Sequence, residues 1–336
     1  MIAFKIILGV LKSIGEDYMR KYVIGIDLGG TKISTALSDF QGNILNNVVV
    51  KTMADEGEIP VLNRIISTIE SVIDKEGISI DEVKAIGIGS PGPLNVSTGV
   101  IIDTPNLPFK NFNVTKPIEE RFHIPVYLDN DANVATIGEF MFGAGKGKKN
   151  LVFMTVSTGI GGGAIINGNI YRGSTFNALE IGHTTVEPEG PKCNCGNRGC
   201  LEAVSSGTAI GKMGQDVADS EVETSLKQYD KITSYEVFLE AEKGDEEAKK
   251  IRDKALNYLG IGVANVVSIF DPEVVIIGGV VTQVGDILFN RVREVVTQRC
   301  FKVMSDNCDI VPAGLGTSAG VVGAVALAIL ESKNYQ

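Results

Sequence analysis

Apolar residues fall into two kinds of pattern along this chain: short crowded runs that end in glycine, and longer stretches in which they recur every three or four positions. Tyr22-Val23-Ile24-Gly25-Ile26-Asp27-Leu28 is a run of the first kind. After Gly29-Gly30-Thr31-Lys32 an alternation from Ile33 to Leu37 follows, closed by a turn over Asp39 to Asn43. The pattern predicts a β-hairpin with a glycine turn and Asp27 near its start. Leu151 to Val156, the turn Ser157-Thr158-Gly159-Ile160-Gly161-Gly162-Gly163 and the strand Ala164-Ile165-Ile166 repeat that unit about 130 residues later, which points to a duplicated architecture with one glycine hairpin in each half.

Patterns of the second kind supply the helices. Ile59, Leu62, Ile65, Ile66, Ile69 and Ile73 share one face of a helix over 58–76. Helices are also expected over 117–122, 134–142, 203–217, 251–270 and 316–330, the last rich in Ala and Gly and suited to close packing. Residues 220–250 read as charged and solvent-facing. Buried strands are expected at 83–89, ending in Ser90-Pro91-Gly92-Pro93, at 126–128, and at 274–277, ending in Gly278-Gly279. Ile6-Ile7-Leu8-Gly9-Val10-Leu11 is too short to span a bilayer, which takes about 20 residues. Residues 1–18 are read as an N-terminal extension ahead of a start at Met19.

Both glycine turns imitate better-known nucleotide motifs and depart from them. Gly25 to Lys32 nearly has Walker A spacing, but Thr31 precedes Lys32 and a strand follows instead of a helix. Gly159, Gly161 and Ala164 resemble a dinucleotide fingerprint, again followed by a strand. What remains is that glycines let backbone N–H groups approach phosphate oxygens, or simply make tight turns.

Composition narrows the function classes. Lys+Arg 31 against Asp+Glu 41 gives a formal charge of -10, which argues against broad nucleic-acid or anionic-membrane binding. Of the five cysteines, Cys193, Cys195 and Cys200 lie in one Gly/Asn-rich loop that follows Glu180-Ile181-Gly182-His183. One imidazole and three thiols at this spacing make a Cys3His set of the kind that holds structural zinc. Three clustered thiols also fit a reducing cytoplasm better than a disulfide framework. Glu180 and Glu202 bracket the set and are read as facing a substrate. A third candidate is Asp129-Asn130-Asp131-Ala132-Asn133, at the C-terminal end of an expected strand, where α/β folds place their chemistry. Taken alone, these residues read first as turn and N-cap residues for the helix over 134–142.

Taken together, the motifs resemble the ROK family of repressors and sugar kinases, and the resemblance runs from Val23 to Leu330. It implies an α/β, two-lobed actin-like ATPase (ribonuclease H-like) fold with a duplicated βαβ architecture. The implied small lobe is 19–136, rejoined by the C-terminal helix 318–336, and the large lobe is 137–317. Asp27, Gly29, Gly30, Thr31 and Lys32 match the family's first phosphate motif, Thr158, Gly159, Gly161 and Gly162 lie in its second, and Gly278-Gly279 match its adenosine segment. His183, Cys193, Cys195 and Cys200 match its zinc ligands. By the same resemblance Asn106, Asn130, Glu180, His183 and Glu202 would contact a sugar, and Asp131 would both contact it and act as the catalytic base. The implied activity is ATP-dependent phosphorylation of glucose at its 6-hydroxyl, with magnesium and structural zinc, in a cytoplasmic homodimer or homotetramer; the alternatives are phosphorylation of fructose, mannose or an N-acetylhexosamine, and a non-enzymatic sugar sensor. Family repressors carry an N-terminal helix-turn-helix, for which the residues before Val23 are too few, so nucleic acid is not an expected partner.

Overall fold

The structure is a computed structural model that describes residues 20–104 and 106–333. The proposed extension at 1–18 lies outside the described residues. The described residues divide into two compact units, the first formed by 20–104, 106–142, 173–177 and 317–333 and the second by 143–172 and 178–316.

In the first unit β1 (Tyr22–Leu28), β2 (Lys32–Asp39) and β3 (Ile44–Lys51) form an antiparallel meander. Two parallel strands extend the sheet beyond β1, namely β4 (Val83–Ser90), and further out a strand at Val126–Asn130. Between them come β5 (Leu94–Asn95), β6 (Val100–Asp103) and β7 (Lys110–Asn113), a small separate sheet, so the strand at Val126–Asn130 is β8. The main order is β3-β2-β1-β4-β8. Glu58–Glu76 forms the expected helix and buries Val61, Leu62, Ile65, Ile69, Val72 and Ile73. At about 1.5–3 kcal/mol per fully buried aliphatic side chain, that stripe is what fixes the helix to the sheet. The other face takes the helix Ala319–Lys333, which is apolar around most of its circumference. Glycine makes this approach possible: a Cβ on Gly25 would collide with Val325 N, and one on Gly87 with Ala324 O.

The second unit repeats the plan with β9 (Leu151–Val156), β10 (Ile160–Ile166), β11 (Asn169–Ile170), β12 (Val274–Gly278) and β13 (Asp309–Pro312), in the order β11-β10-β9-β12-β13. Again three strands are antiparallel and the last two join in parallel through the helices Glu246–Phe270 and Asp286–Arg299.

Three expectations need correction. The helix expected over 203–217 is two helices, Leu201–Ser205 and Gly207–Ala218, because Ser206 ends one and caps the other through Ala209 N–H at 3.1 Å. The helix expected from Val134 starts at Asp131. Residues 220–250 are not simply solvent-facing: Leu226, Val237, Phe238 and Ala241 are buried. Their charges also do structural work, since buried Glu240 accepts from Ser225 Oγ at 2.6 Å, Tyr229 Oη at 2.7 Å and Lys243 Nζ at 2.8 Å. The charge-rich composition hid the apolar positions between.

Candidate active site

The first glycine turn joins β1 to β2. Gly29 N–H donates to Lys32 O at 3.0 Å and Thr52 Oγ1 donates to Gly29 O at 2.5 Å, so the turn is tied into its own sheet. Thr31 and Lys32 are exposed at its tip. Gly30 lies against Asn106, whose backbone O would be 2.6 Å from a Cβ there. Asp27 is half-buried, and a Cβ on Gly320 would stand 2.6 Å from its Oδ2, so the carboxylate abuts the beginning of the helix Ala319–Lys333. Burial pushes the Asp27 carboxyl up, partly offset by the Lys32 ammonium.

The acidic cluster ends β8. Asp129 is fully buried and spends its Oδ1 on Asn130 N–H at 2.8 Å and Asn133 Nδ2 at 2.9 Å, which makes it a structural brace. Asn130 Oδ1 accepts from Ala132 N–H at 2.9 Å in the manner of a helix cap. Asp131 Oδ1 lies 2.8 Å from the same N–H, and its side chain is exposed at the first residue of the helix. Both side chains thus meet the same N–H, and Asp131 is exposed at the end of a parallel strand.

In the second unit the turn between β9 and β10 closes with Ser157 N–H donating to Gly159 O at 2.8 Å. Thr158 is exposed, and Gly159 and Gly161 are half-buried. Gly162 is buried, where a Cβ would stand 2.6 Å from Ile181 Cδ1, so this glycine serves packing. Gly278 is likewise buried at the end of β12. Gly279 is exposed at φ 93, and a Cβ there would collide with Val156 O. Only glycine suits both demands. Just beyond it, Val280, Val281 and Ile287 line a cleft of about 510 Å³ with Tyr235 and Phe238, and Glu242 and Arg252 also border it. Tyr235 and Phe238 come from the segment misread as solvent-facing, so the sequence reading missed this cleft; the apolar pair inside a charged stretch was the available signal.

The Cys3His residues come together, with ligand atoms within 4.8 Å of one another. Cys195 Sγ and Cys200 Sγ are 3.7 Å apart, and so are Cys193 Sγ and His183 Nδ1. A tetrahedral zinc with bonds near 2.3 Å to sulfur and 2.0–2.1 Å to nitrogen has S···S edges of about 3.8 Å and S···N edges of about 3.6 Å. A disulfide would bring the sulfurs to about 2.05 Å. The donor set therefore fits zinc. The other ring nitrogen of His183, Nε2, stands 4.0 Å from Glu180 Oε2, and the Glu180 side chain is exposed. Glu202, two residues past Cys200, accepts from Ile160 N–H at 2.9 Å. Among the described residues no helix is long and apolar enough to cross a membrane.

Known proteins are similar to this chain in sequence and in fold. A glucokinase from Thermotoga maritima is 38% identical over 310 residues, covering 91% of this chain and 96% of that protein. A xylose repressor from Caldicellulosiruptor bescii is 32% identical over 333 residues, 98% of this chain and 82% of the repressor. A ROK family glucokinase from Streptomyces griseus, solved with glucose and AMPPNP, superposes with a TM-score of 0.74 at 31% identity, covering 91% of this chain and 99% of its own. Two like-ordered sheets, each with a glycine turn in the same place, are the actin-like ATPase fold, and the chain is an ATP-dependent sugar kinase built on it. It belongs to the ROK family, whose model matches residues 23–331.

Proposed function

We propose that this kinase transfers the γ-phosphoryl group of ATP to the 6-hydroxyl of D-glucose. The observation that carries the reading is the His183 ring, whose Nδ1 faces Cys193 inside the Cys3His set while Nε2 stands 4.0 Å from Glu180 Oε2. His183 Nδ1 and the three thiolates would hold zinc, which would fix the ring's tautomer and orientation. Nε2 would then carry the proton, and an N–H donor beside a carboxylate acceptor matches a hydroxyl, which both accepts and donates. Such a pair discriminates sugar stereochemistry, because a misplaced hydroxyl leaves it unsatisfied. The glucose in the related Streptomyces griseus complex supports the same substrate.

In this reading Asp131 accepts the proton of the 6-hydroxyl as that oxygen attacks phosphorus. Asn106, Asn130, Glu180, His183 and Glu202 hold the sugar hydroxyls. Backbone N–H groups of the two glycine turns receive phosphate oxygens, and the cleft beyond Gly279 takes the adenine between Tyr235, Phe238 and the valines. Asp27 would help hold magnesium, which would supply neutralisation of charge on the phosphates. In a reducing cytoplasm the three thiolates stay available to zinc.

A coupled assay with ATP across glucose, mannose, fructose, N-acetylglucosamine and N-acetylmannosamine tests the reading. The highest kcat/KM is expected for glucose. A clear preference for another sugar would reassign the substrate, and sugar binding without turnover would make the chain a sensor.

A further inference from the structure

At Gly159 a carboxylate stands where a side chain would be. A Cβ there would collide with Glu202 Oε2, the oxygen that accepts from Ile160 N–H at 2.9 Å, so a side chain at 159 would displace that carboxylate. The backbone of Gly159 is not in the left-handed region, so the displacement would come without backbone strain. Two further contacts hold the turn. A Cβ on Gly182 would collide with Ile160 O, so the segment carrying Glu180 and His183 is pressed against the turn. Gly207 N–H donates to Ser157 O at 2.8 Å, bringing the next helix down on its other end. Leu201 N–H donates to Thr184 O at 2.9 Å, which locks the Cys200–Glu202 stretch to the His183 stretch.

We propose that Glu202 is the positioning residue of the second phosphate turn. One oxygen fixes the turn through Ile160 while the other remains for the sugar, so that one carboxylate couples sugar affinity to nucleotide affinity. This rests on the preceding reading of the turn as a phosphate cradle and of Glu202 as a sugar contact. A ligand that orders the carboxylate also orders the turn, and by linkage the effect must run both ways. The Ile160 amide lies beside Gly159, one of the residues whose N–H would meet a phosphate, so displacement of Glu202 changes where that N–H points.

Three variants of the full zinc-loaded chain separate this role from plain sugar binding. Glu202→Ala removes both functions. Glu202→Gln keeps an oxygen that accepts from Ile160 N–H but loses the charged sugar acceptor. Gly159→Ala displaces the carboxylate without replacing it. Calorimetric titration of AMPPNP with magnesium in the absence of sugar is expected to show affinity falling about fivefold or more in Glu202→Ala and staying within about twofold of wild type in Glu202→Gln. Glucose titrated without nucleotide is expected to bind more weakly to Gly159→Ala, although position 159 lies in the phosphate turn. Amide hydrogen exchange at Ile160 should be slow in wild type and Glu202→Gln and faster in Glu202→Ala, whichever sugar the enzyme prefers. Unchanged AMPPNP affinity and unchanged Ile160 exchange in Glu202→Ala would overturn the proposal. If Glu202→Ala does not fold, Gly159→Ala with wild-type glucose affinity overturns it instead. A different preferred sugar would show as wild-type protein that ignores glucose while the exchange comparison still decides the role of Glu202.

Discussion

The two sheets share strand order and direction, yet their glycine turns are secured by different means. The turn at Gly29–Thr31 is held from within its own meander, by Lys32 O and by Thr52 immediately after β3. The turn at Ser157–Gly159 is held from outside its hairpin, by Glu202 and Gly207. The close approaches at glycine also differ. The strand glycines Gly25 and Gly87 meet backbone atoms of the helix Ala319–Lys333, whereas Gly260, in the helix Glu246–Phe270, meets the Val295 side chain of the helix Asp286–Arg299, 2.6 Å from where its Cβ would stand. In a repeated scaffold, one turn is thus hydrogen-bonded within its own meander and the other leans on the segment that follows the Cys3His set. Damage to the Cys3His loop should therefore disturb the second turn and leave the first intact.

The largest expected effect lies in the first unit. Asp131→Asn should lower kcat at least ~100-fold with little change in glucose affinity, because an amide cannot accept the hydroxyl proton. Steady-state kinetics with calorimetric glucose titration checks this. Near wild-type kcat would reduce Asp131 to a helix-starting residue, a role Asn fills equally well.

Cys195→Ser carries the comparison to the second unit. Serine is a poor zinc ligand, so metal content by atomic absorption should fall, and the KM for glucose should rise about tenfold as His183, Glu180 and Glu202 lose their frame. The KM for ATP should rise less, since the first turn is untouched. Zinc loss with an unchanged glucose KM would show the metal loop to be uncoupled from the sugar.

Stability should separate the helix seats. Gly87→Ala is expected to cost about 1–3 kcal/mol or more, because Ala324 O belongs to a backbone that cannot step aside. Gly260→Ala should cost less, since Val295 can rotate. Thermal melts that rank the two the other way would contradict the distinction between backbone and side-chain seats.

The smallest effect is electrostatic, with opposite sign in the two units. Hydrogen bonds from Lys243, Ser225 and Tyr229 lower the Glu240 carboxyl from its ordinary 4.5 to about 2. That carboxylate contributes stability above pH 4.5, and the contribution is lost as pH falls from 4.5 toward 2. Asp27 is raised above its ordinary 3.8 by burial, so its charged form opposes folding at neutral pH and the penalty disappears below 3.8. Melting curves at pH 7 should accordingly show Glu240→Gln below wild type and Asp27→Asn above it, with the acid limb of Glu240→Gln flattened. An unchanged acid limb in Glu240→Gln would remove Glu240 from the account of acid sensitivity.

How much of this the sequence carried depended on how local each cause was. The helix Glu58–Glu76 was legible because its apolar stripe repeats within a few residues, and both hairpins were legible because glycine marks their turns. The Cys3His set was legible for the same reason, its donors lying close along the chain. Asp129 and Asp131 could not be told apart until β8 and the helix start were placed, since one is buried as a brace and the other emerges. The helix Asp286–Arg299 went unread although Leu288, Phe289, Val292, Val295 and Val296 repeat along one face. The second task of Glu202 depends on a hydrogen bond to Ile160 across 42 positions, which no spacing rule reports.

The central claim is that this chain moves phosphate from ATP to glucose. Phosphorus NMR of the protein with magnesium, ATP and glucose tests it most directly, with a sample lacking sugar beside it. The account expects one equivalent of glucose 6-phosphate for each ADP formed, and little ADP without sugar. ADP accumulating at the same rate in both samples, or glucose bound with the ATP resonances unchanged, would contradict it.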